Sequence, residues 1–416
     1  MQRQIAGFLI ASLVLVLIDL YIYSAIKSFS FTYKKQFKTL FWFFSALIIL
    51  DVFCNVFLEL KEGVRTVLTV AILLSTVSKV FFILFVLIDD LRRTGLRLYN
   101  WLFNQQIKKR NSEHLEKKTA ITRSAFLTKA GILAASVPLA ALSKGMVSGA
   151  YDYQVKFQKL CLNNLPKAFA GLKIAQISDI HSGSFFYKNA VKGGIEMLLR
   201  EKPDCVFFTG DLVNDFANEM RDYQDLFSRI KAPLGVFSIL GNHDYGDYHF
   251  GPTNSLKKAR NLADIKKTHG NMGWDLLLNE NRILKINNEQ LAIIGVENWG
   301  VGGFTRYGQM DLAVENTDDC PIKLLLSHDP SHWRAEVIPK YPQIDAMFSG
   351  HTHGMQLGVR TDDFQWSPIQ YRYNEWAGLY KQDAQQLYVN VGYGFLGYPG
   401  RIGILPEITI FELASV

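Results

Sequence analysis

The chain has 416 residues, of which 49% are hydrophobic, and a formal net charge of +7. This length exceeds one average domain and predicts two or three structural units. The cysteines have no paired spacing, which argues against a disulfide framework and against a zinc knuckle; they are Cys54, Cys161, Cys205 and Cys320. The apolar residues are concentrated in the first third, and the rest has the composition of a soluble domain.

Three nearly uncharged runs in the first third reach the roughly 20 residues that a bilayer core requires. They cover approximately residues 5–26, 39–58 and 67–88, and none keeps the polar face of a soluble amphipathic helix. A fourth, less apolar segment covers about residues 126–147 and contains Pro138. We therefore predict a membrane anchor of three to four transmembrane helices in residues 1–150 and a second domain in residues 151–416. A buried soluble helix bundle is the weaker alternative.

Basic residues predict the orientation of these helices. Residues 89–129 hold ten Lys/Arg and four Asp/Glu, and beside apolar spans such a run favours a cytoplasmic flank over a nucleic-acid-binding segment. The first loop is also basic, with Lys27, Lys34, Lys35 and Lys38. Four spans then leave both chain ends outside the cytoplasm, whereas three spans would place the second domain inside it. We predict the extracytoplasmic arrangement.

Three charged residues lie within the predicted spans, where each costs at least ~2.5 kcal/mol near the centre of the bilayer. They are Asp19, Asp51 and Lys79. Since Asp51 and Lys79 fall at similar depth in neighbouring helices, we predict that they form an ion pair. A transport role for so few charges is the less favoured interpretation.

From about Tyr151 onward, short apolar runs alternate with amphipathic stretches, which predicts an α/β domain. Helical spacing covers about residues 190–200 and 219–230. Five predicted strands each end at a cluster of Asp, Asn or His. The strands cover about residues 172–178, 205–209, 235–240, 323–326 and 346–349. Ligand sites in open α/β sheets gather outside the carboxyl ends of the strands, so the clusters predict one shared site.

The clusters supply carboxylate, amide and imidazole groups without a thiolate, a mixture that suits Mn, Fe or Zn and is too rich in nitrogen for calcium. Seven side chains exceed the needs of one four-coordinate ion and predict two divalent metal ions. The candidate ligands are Asp179, His181, Asp211, Asn242, His328, His351 and His353.

Each cluster also has a structural interpretation. Gly210-Asp211 alone fits an ordinary turn, and His328 alone fits a buried structural histidine. Two imidazoles at alternating positions, His351 and His353, would face one side of a strand and so could share a site. The five clusters in this order favour the metal site over five separate structural roles.

These five clusters resemble the motifs of the calcineurin-like metallophosphoesterase superfamily, and the resemblance covers about residues 172–413. The family pattern of Asp-x-His, Gly-Asp, Gly-Asn-His-Asp/Glu, a later His and Gly-His-x-His is matched at every position. The membrane-linked bacterial branch is the most similar, which implies the cell inner membrane as the location. The resemblance implies a four-layer α/β/β/α sandwich with two mixed sheets.

The resemblance also implies roles for the residues. Asp179, His181 and His353 would hold one ion, Asp211 would bridge, and the second ion would be completed by Asn242, His328 and His351. His243 would stabilise charge on the phosphoryl group and protonate the leaving oxygen, with Asp244 orienting its ring.

The function predicted is hydrolysis of a phosphodiester or pyrophosphate, free or lipid-linked, by a hydroxide generated between two metal ions. A Ser/Thr protein phosphatase is disfavoured because residues 213–216 lack the Asp-Arg-Gly sequence of those enzymes. The alternative is a membrane receptor or scaffold whose phosphoesterase fold has lost catalysis. Near the chain end, Arg401 is expected to meet either a phosphate or a surface carboxylate.

Overall fold

The computed structural model describes residues 2–27, 34–58, 62–103, 123–361 and 363–416. The chain divides into two compact units, residues 1–143 and 144–416. Half of the Lys/Arg residues in the basic run that we predict to be a cytoplasmic loop fall on residues 104–122, which lie outside the described residues. The predicted domain boundary at residues 150 and 151 stays a prediction.

Long apolar helices make up the first unit and lead into the second. Among the described residues, four helices are long and apolar enough to cross a membrane. They are α1 (Gln2–Ile26), α2 (Lys34–Phe57), α3 (Glu62–Phe103) and α4 (Arg123–Val147). Many of their large apolar side chains are exposed, as expected for surfaces that face lipid. The third helix is longer than predicted, and the fourth continues through Pro138.

The predicted ion pair between Asp51 and Lys79 is wrong. Lys79 instead pairs with Asp19, with Nζ 2.8 Å from Oδ1, and the Ser45 hydroxyl donates to Asp19 Oδ2 at 2.6 Å. Asp51 accepts a hydrogen bond from Asn55 Nδ2 at 2.8 Å, one helical turn away on the same face. Asn55 thus supplies a partner for Asp51 within its own helix, and the partner of Lys79 is the buried carboxylate of Asp19.

The second unit contains two six-stranded sheets and a short two-stranded ribbon. The strands are β1 (Gln154–Leu162), β2 (Lys173–Ile177), β3 (Cys205–Phe208), β4 (Val236–Ser238), β5 (Asp275–Leu276), β6 (Glu280–Ile286), β7 (Glu289–Gly295), β8 (Lys323–Leu326), β9 (Ala346–Ser349), β10 (Val359–Arg360), β11 (Gln365–Trp366), β12 (Gly378–Gln382), β13 (Gln385–Val389) and β14 (Glu407–Ser415). The first sheet has the order β1-β14-β2-β3-β4-β5 and the second β12-β13-β9-β8-β7-β6; β10 and β11 form the ribbon.

The two sheets pack face to face through alternate residues of their strands. Ile174 and Phe207 of the first sheet and Leu324 and Phe348 of the second belong to one buried apolar group. Since successive side chains of a strand point to opposite faces, each strand contributes every second residue to this layer. A fully buried side chain of this size contributes about 1.5–3 kcal/mol to folding, so the layer is a main source of stability.

Helices cover the outer face of each sheet. They are α5 (Lys188–Arg200), α6 (Gln224–Phe227), α8 (Leu256–Met272), α9 (Met310–Ala313) and α10 (Ile338–Lys340). A further single-turn helix, α7 (Asp247–Phe250), has no buried residue. Val206 of the first sheet packs with Ile195 of α5, and Leu325 of the second packs with Trp333, just before α10. The predicted four-layer α/β/β/α sandwich is confirmed. The helix predicted at residues 219–230 is instead a 3₁₀ turn followed by the single turn α6.

Buried polar contacts join the two sheets at the edge where the clusters lie. Gln176 of β2 donates through Nε2 to the Ser349 carbonyl of β9 at 3.0 Å and to the Thr209 hydroxyl at 3.0 Å. All three side chains are fully buried. Because Nε2 of this buried amide bonds to both sheets, it fixes their separation, since breaking the contact would leave buried polar groups unpaired.

Candidate metal centre

All seven candidate ligands lie at one edge of the sandwich. In the first sheet β2, β3 and β4 are parallel, so their carboxyl ends meet at the same edge. In the second sheet β8 and β9 are parallel in the same way. The segments that follow these five strands carry the ligands: Asp179 and His181, then Asp211, Asn242, His328, and finally His351 and His353. The topology therefore explains why ligands far apart in sequence converge.

Five of these residues have a left-handed backbone. The φ angles are 52° for Asp179, 47° for His181, 60° for Asp211, 71° for His351 and 50° for His353. The prediction that His351 and His353 lie on one face of a strand is wrong, because β9 ends at Ser349. Both imidazoles reach the site because the backbone turns left-handed after the strand.

The first group of ligands consists of Asp179, His181 and His353. One ligand atom from each lies within 4.8 Å of those of the other two. His353 Nε2 lies 3.3 Å from Asp179 Oδ1. Among the described residues, Nε2 of His181 and Nε2 of His353 are buried and meet no hydrogen-bond partner. These two buried nitrogens and the buried Asp179 carboxylate each offer a lone pair to the same space. A divalent cation bound there would supply the partner that they lack.

The second group consists of Asp211, His328 and His351, whose ligand atoms also lie within 4.8 Å of one another. His328 Nε2 lies 3.1 Å from Asp211 Oδ2, and His351 Nδ1 lies 3.3 Å from His328 Nε2. Asn242 joins this group, with Oδ1 2.9 Å from His351 Nδ1. This mixture of one carboxylate, one amide and two imidazoles again suits a transition metal.

Asp211 lies between the two groups. Its Oδ2 is 3.1 Å from His328 Nε2 in the second group and 3.5 Å from His181 Nε2 in the first. Its other oxygen, Oδ1, accepts the backbone N–H of His243 at 2.9 Å. One carboxylate that contacts both groups is what a two-metal site with a shared ligand requires. The residues present therefore fit a pair of divalent ions.

The ring nitrogens that point away from the site have partners of their own. His181 Nδ1 lies 3.2 Å from Asn214 Oδ1, and His328 Nδ1 lies 2.7 Å from the Thr209 carbonyl. Such contacts orient the ring and place the free nitrogen toward the metal. Sequence reasoning missed Asn214, although its position shortly after Gly210-Asp211 could have suggested a role beside the site.

His351 is held in a comparable way by two residues that the sequence did not single out. Tyr373 brings its hydroxyl to 2.7 Å from His351 Nε2, and Asp329 Oδ2 lies 3.6 Å from the same nitrogen. Asp329 is fully buried. It directly follows His328, which is the one signal that could have identified it. No motif pointed to Tyr373.

Burial and charge set the protonation of the site. Burial lowers the pKa of His181 to about 3, so its imidazole stays neutral. Burial raises the pKa of Asp179 to about 6, although the charge of His328 opposes it. For His328 burial lowers the pKa, but the Asp211 carboxylate outweighs it and raises the pKa to about 10. Protons and a cation therefore compete for the same groups, and metal binding releases protons.

The prediction that Asp244 orients the ring of His243 is wrong. The His243 ring is held by the Asn214 carbonyl, which lies 2.8 Å from Nδ1, and by stacking on Tyr248 with ring centroids 4.5 Å apart. The Asp244 carboxylate, fully buried, accepts backbone N–H groups from two separate loops instead. The donors are Asp211 at 3.0 Å, Leu212 at 2.8 Å, Val213 at 3.2 Å and Gly241 at 2.9 Å.

Two glycines allow the backbone to approach the carboxylates closely. A Cβ atom at Gly241 would overlap the carboxylate of Asp211, and one at Gly350 would overlap Ser178 and Asp179. The motifs Gly-Asn-His-Asp and Gly-His-Thr-His thus begin with glycine because the carboxylate of a candidate ligand occupies the space where a side chain would stand.

The expectation that Arg401 meets a surface carboxylate is wrong, whereas contact with a phosphate stays a prediction. Its Nη2 lies 3.3 Å from Nδ1 of the candidate ligand His353. The side chain is almost fully buried and donates to backbone carbonyls of its own loop, including Gly394 at 2.6 Å and Val391 at 2.8 Å. A loop that turns back on itself buries several carbonyls, and the guanidinium supplies the donors that they lack. The four cysteines are free.

Both parts of the chain are similar to known phosphoesterases. The family described as calcineurin-like phosphoesterase matches residues 172–355, and one described as probable calcineurin-like phosphoesterase, transmembrane domain, matches residues 3–150. A metallophosphoesterase of Aquifex aeolicus is 30% identical over 214 residues, which make up 50% of this chain and 74% of that protein.

Two further relatives extend the likeness. A metallophosphoesterase of Helicobacter pylori is 27% identical over 410 residues, 96% of each chain. The phosphodiesterase YaeI of Escherichia coli is 28% identical over 246 residues, which make up 59% of this chain and 83% of that protein. The resemblance found in the sequence motifs is confirmed. The chain belongs to the calcineurin-like metallophosphoesterase family, and it is a membrane protein and a metal-dependent phosphoesterase.

Proposed function

We propose that the second unit hydrolyses a phosphodiester or pyrophosphate with two divalent metal ions, Mn, Fe or Zn. Asp179, His181 and His353 would hold one ion, the second group together with Asn242 would hold the other, and Asp211 would serve both. The observation that carries the proposal is the contact of the Asp211 carboxylate with both ligand groups. Bound ions at such a site activate water and neutralise charge on the phosphoryl oxygens.

His243 is the proposed proton donor to the leaving oxygen. Because its Nδ1 faces the Asn214 carbonyl at 2.8 Å, that nitrogen carries a proton, and Nε2 remains to exchange one with the substrate. The ring lies beside the first ligand group, with its centroid 4.9 Å from that of His181. A proton held there compensates negative charge as the phosphorus–oxygen bond breaks.

The surroundings of the second ligand group support an extended anionic substrate. A pocket of about 380 Å³ adjoins Tyr373, whose hydroxyl touches His351, and its lining includes Arg334 and Arg372. Arg334 pairs with Glu375 at 2.5 Å. One acidic and two basic side chains leave the lining with a net positive charge, which favours a substrate with negative charge beyond the scissile group. The relative YaeI is named as a phosphodiesterase, which supports a phosphodiester as the substrate.

For the membrane, we propose an anchor in residues 1–150 and a catalytic domain in residues 151–416, in the cell inner membrane with the catalytic domain outside the cytoplasm. Four spans with basic first and third loops support this orientation. An anchored enzyme meets substrates in the bilayer surface more often than soluble ones, which favours a lipid-linked substrate. Alkaline phosphatase and green fluorescent protein fusions after Val416 test the orientation: activity of the first alone supports it, and fluorescence of the second alone overturns it.

The catalytic proposal is tested with the full-length protein in detergent. We expect hydrolysis of bis-p-nitrophenyl phosphate that requires added Mn²⁺ and stops with a chelator. Asp211→Asn should abolish it, and His243→Ala should reduce it by about 10²–10⁴-fold without loss of bound metal. His249→Ala is the matched control, because this exposed histidine belongs to neither ligand group. A protein that binds metal fully and hydrolyses nothing would instead fit the receptor or scaffold alternative.

A further inference from the structure

A short apolar hairpin extends from the second unit. It covers residues 355–371 and includes the ribbon of β10 and β11, which we call the apolar hairpin. Six of its large apolar side chains are exposed: Met355, Leu357, Val359, Phe364, Trp366 and Tyr371. For Tyr371 the exposed fraction reaches 81%, and for Phe364 it reaches 59%. So many large apolar side chains on one small exposed element mark an interaction surface rather than ordinary surface composition.

The apolar hairpin is connected on both sides to the metal centre. The ligand His353 stands two residues before it, and Tyr373, whose hydroxyl lies 2.7 Å from His351 Nε2, stands two residues after it. At the base, the Ser367 hydroxyl donates to the Gly354 carbonyl at 2.8 Å. A surface that covers the apolar hairpin would therefore lie beside the second ligand group.

The hairpin is also joined to residues at the end of the fourth candidate membrane span, which runs over Phe126–Tyr151. Gln356 donates through Nε2 to the carbonyls of Tyr398 at 2.7 Å and Gly400 at 2.9 Å. In the same loop, the N–H of Arg401 donates to the Gly145 carbonyl at 3.2 Å. Both contacts lie within the second unit. The end of a membrane span lies at the lipid interface, so an element joined to it by two hydrogen-bonded steps is close to lipid.

We propose that the apolar hairpin docks on the lipid interface of the bilayer that the fourth span crosses. Trp, Tyr and Phe are the side chains that favour this interface, and the hairpin presents Phe364, Trp366 and Tyr371. Asp363, an acidic residue, is also exposed in this hairpin. The attraction between the hairpin and the bilayer therefore comes from the apolar side chains rather than from positive charge. The inference goes beyond the hydrolytic proposal, since it concerns where the metal centre lies and not what it cleaves.

The test labels Phe364→Cys with the environment-sensitive fluorophore NBD in the full-length protein, with one copy per nanodisc of phosphatidylcholine. Cys54 and Cys161, the two cysteines that are not buried, are replaced by alanine. The matched control carries the label at Leu312→Cys, an exposed leucine on α9 in the helical layer over the second sheet. Each label is exposed in turn to doxyl-labelled lipid and to aqueous iodide.

We expect the label at position 364 to emit at shorter wavelength, to lose emission with doxyl lipid and to be shielded from iodide, whereas the label at 312 responds only to iodide. If both labels respond alike to iodide and neither to doxyl lipid, the proposal is overturned. It is overturned equally if position 364 is shielded from iodide without quenching by lipid, because a protein surface would then cover the hairpin. None of these readings requires the protein to be catalytically active.

Discussion

The role of Asp244 gives a sharp test of the site. Its carboxylate accepts four backbone N–H groups from the loops after β3 and β4, and it is fully buried. Replacing it by alanine leaves four buried donors without an acceptor, each at a cost of about 1–3 kcal/mol. The low end of that range gives about 4 kcal/mol, which approaches the total stability of an ordinary domain.

Asp244→Asn should be milder than Asp244→Ala, because the amide oxygen still accepts from one pair of donors while its NH₂ group faces the other. The expected loss is about half, or about 2 kcal/mol. Both variants should also bind less metal, since the loop that the carboxylate holds begins at Asp211, the ligand shared by the two groups.

The measurement is chemical unfolding of the full-length protein in detergent, followed by tryptophan emission, together with bound metal per chain. Asp225→Ala is the matched control, because this carboxylate is 68% exposed and pairs with Lys188 on the surface. If Asp244 acted through His243 instead, activity would fall while the unfolding midpoint and the metal content stayed at their wild-type values. That pattern would refute the reasoning.

Three further predictions concern other parts of the chain. Burial holds the pKa of His269 at about 3 against an ordinary 6.5, so the free energy of unfolding should be intact above pH 6.5 and fall toward pH 3, by about 2 kcal/mol at pH 5. His269→Phe should therefore reduce the difference between the unfolding midpoints at pH 8 and pH 5. An unchanged difference would contradict this role of His269. His353→Ala should lower the bound metal per chain, measured by mass spectrometry, whereas His249→Ala should not; equal metal content in the two would exclude His353 as a ligand. Lys79→Leu should reduce the amount of protein in the membrane, and adding Asp19→Asn should restore it; a double variant as poor as the single one would argue against this ion pair.

The positions of the strands and of the candidate metal ligands could be predicted from the sequence because each cluster directly follows a buried apolar run. Two of the five predicted strands, Lys323–Leu326 and Ala346–Ser349, have the predicted bounds, and the others differ by one or two residues. Because ligand sites form at the carboxyl ends of parallel strands, the sequence alone predicts that Asp179 and Asp211 lie near each other.

The contacts that orient the ligands could not be predicted, because they join residues with no sequence signal. Tyr373 lies 22 positions from His351 in a segment without a motif, and the partner of the His243 ring is a backbone carbonyl. The pairing of Lys79 was mispredicted for a related reason. Depth in the membrane limits the possible partners of Lys79, but the rotation of each helix about its axis decides which of them it meets. An apolar run carries no information about that rotation.

The left-handed backbone at five ligand positions limits which metal chemistry this scaffold can adopt. Asp, Asn and His tolerate that conformation better than most residues, and they are also donors for the metals proposed here. For most other L-residues the same conformation costs roughly 1–2 kcal/mol per position. A redesign that introduced cysteine at Asp179 or glutamate at Asp211 would therefore meet a conformational penalty before any coordination bond formed. Handedness and donor chemistry select the same few amino acids, so the backbone itself restricts the choice of ligand.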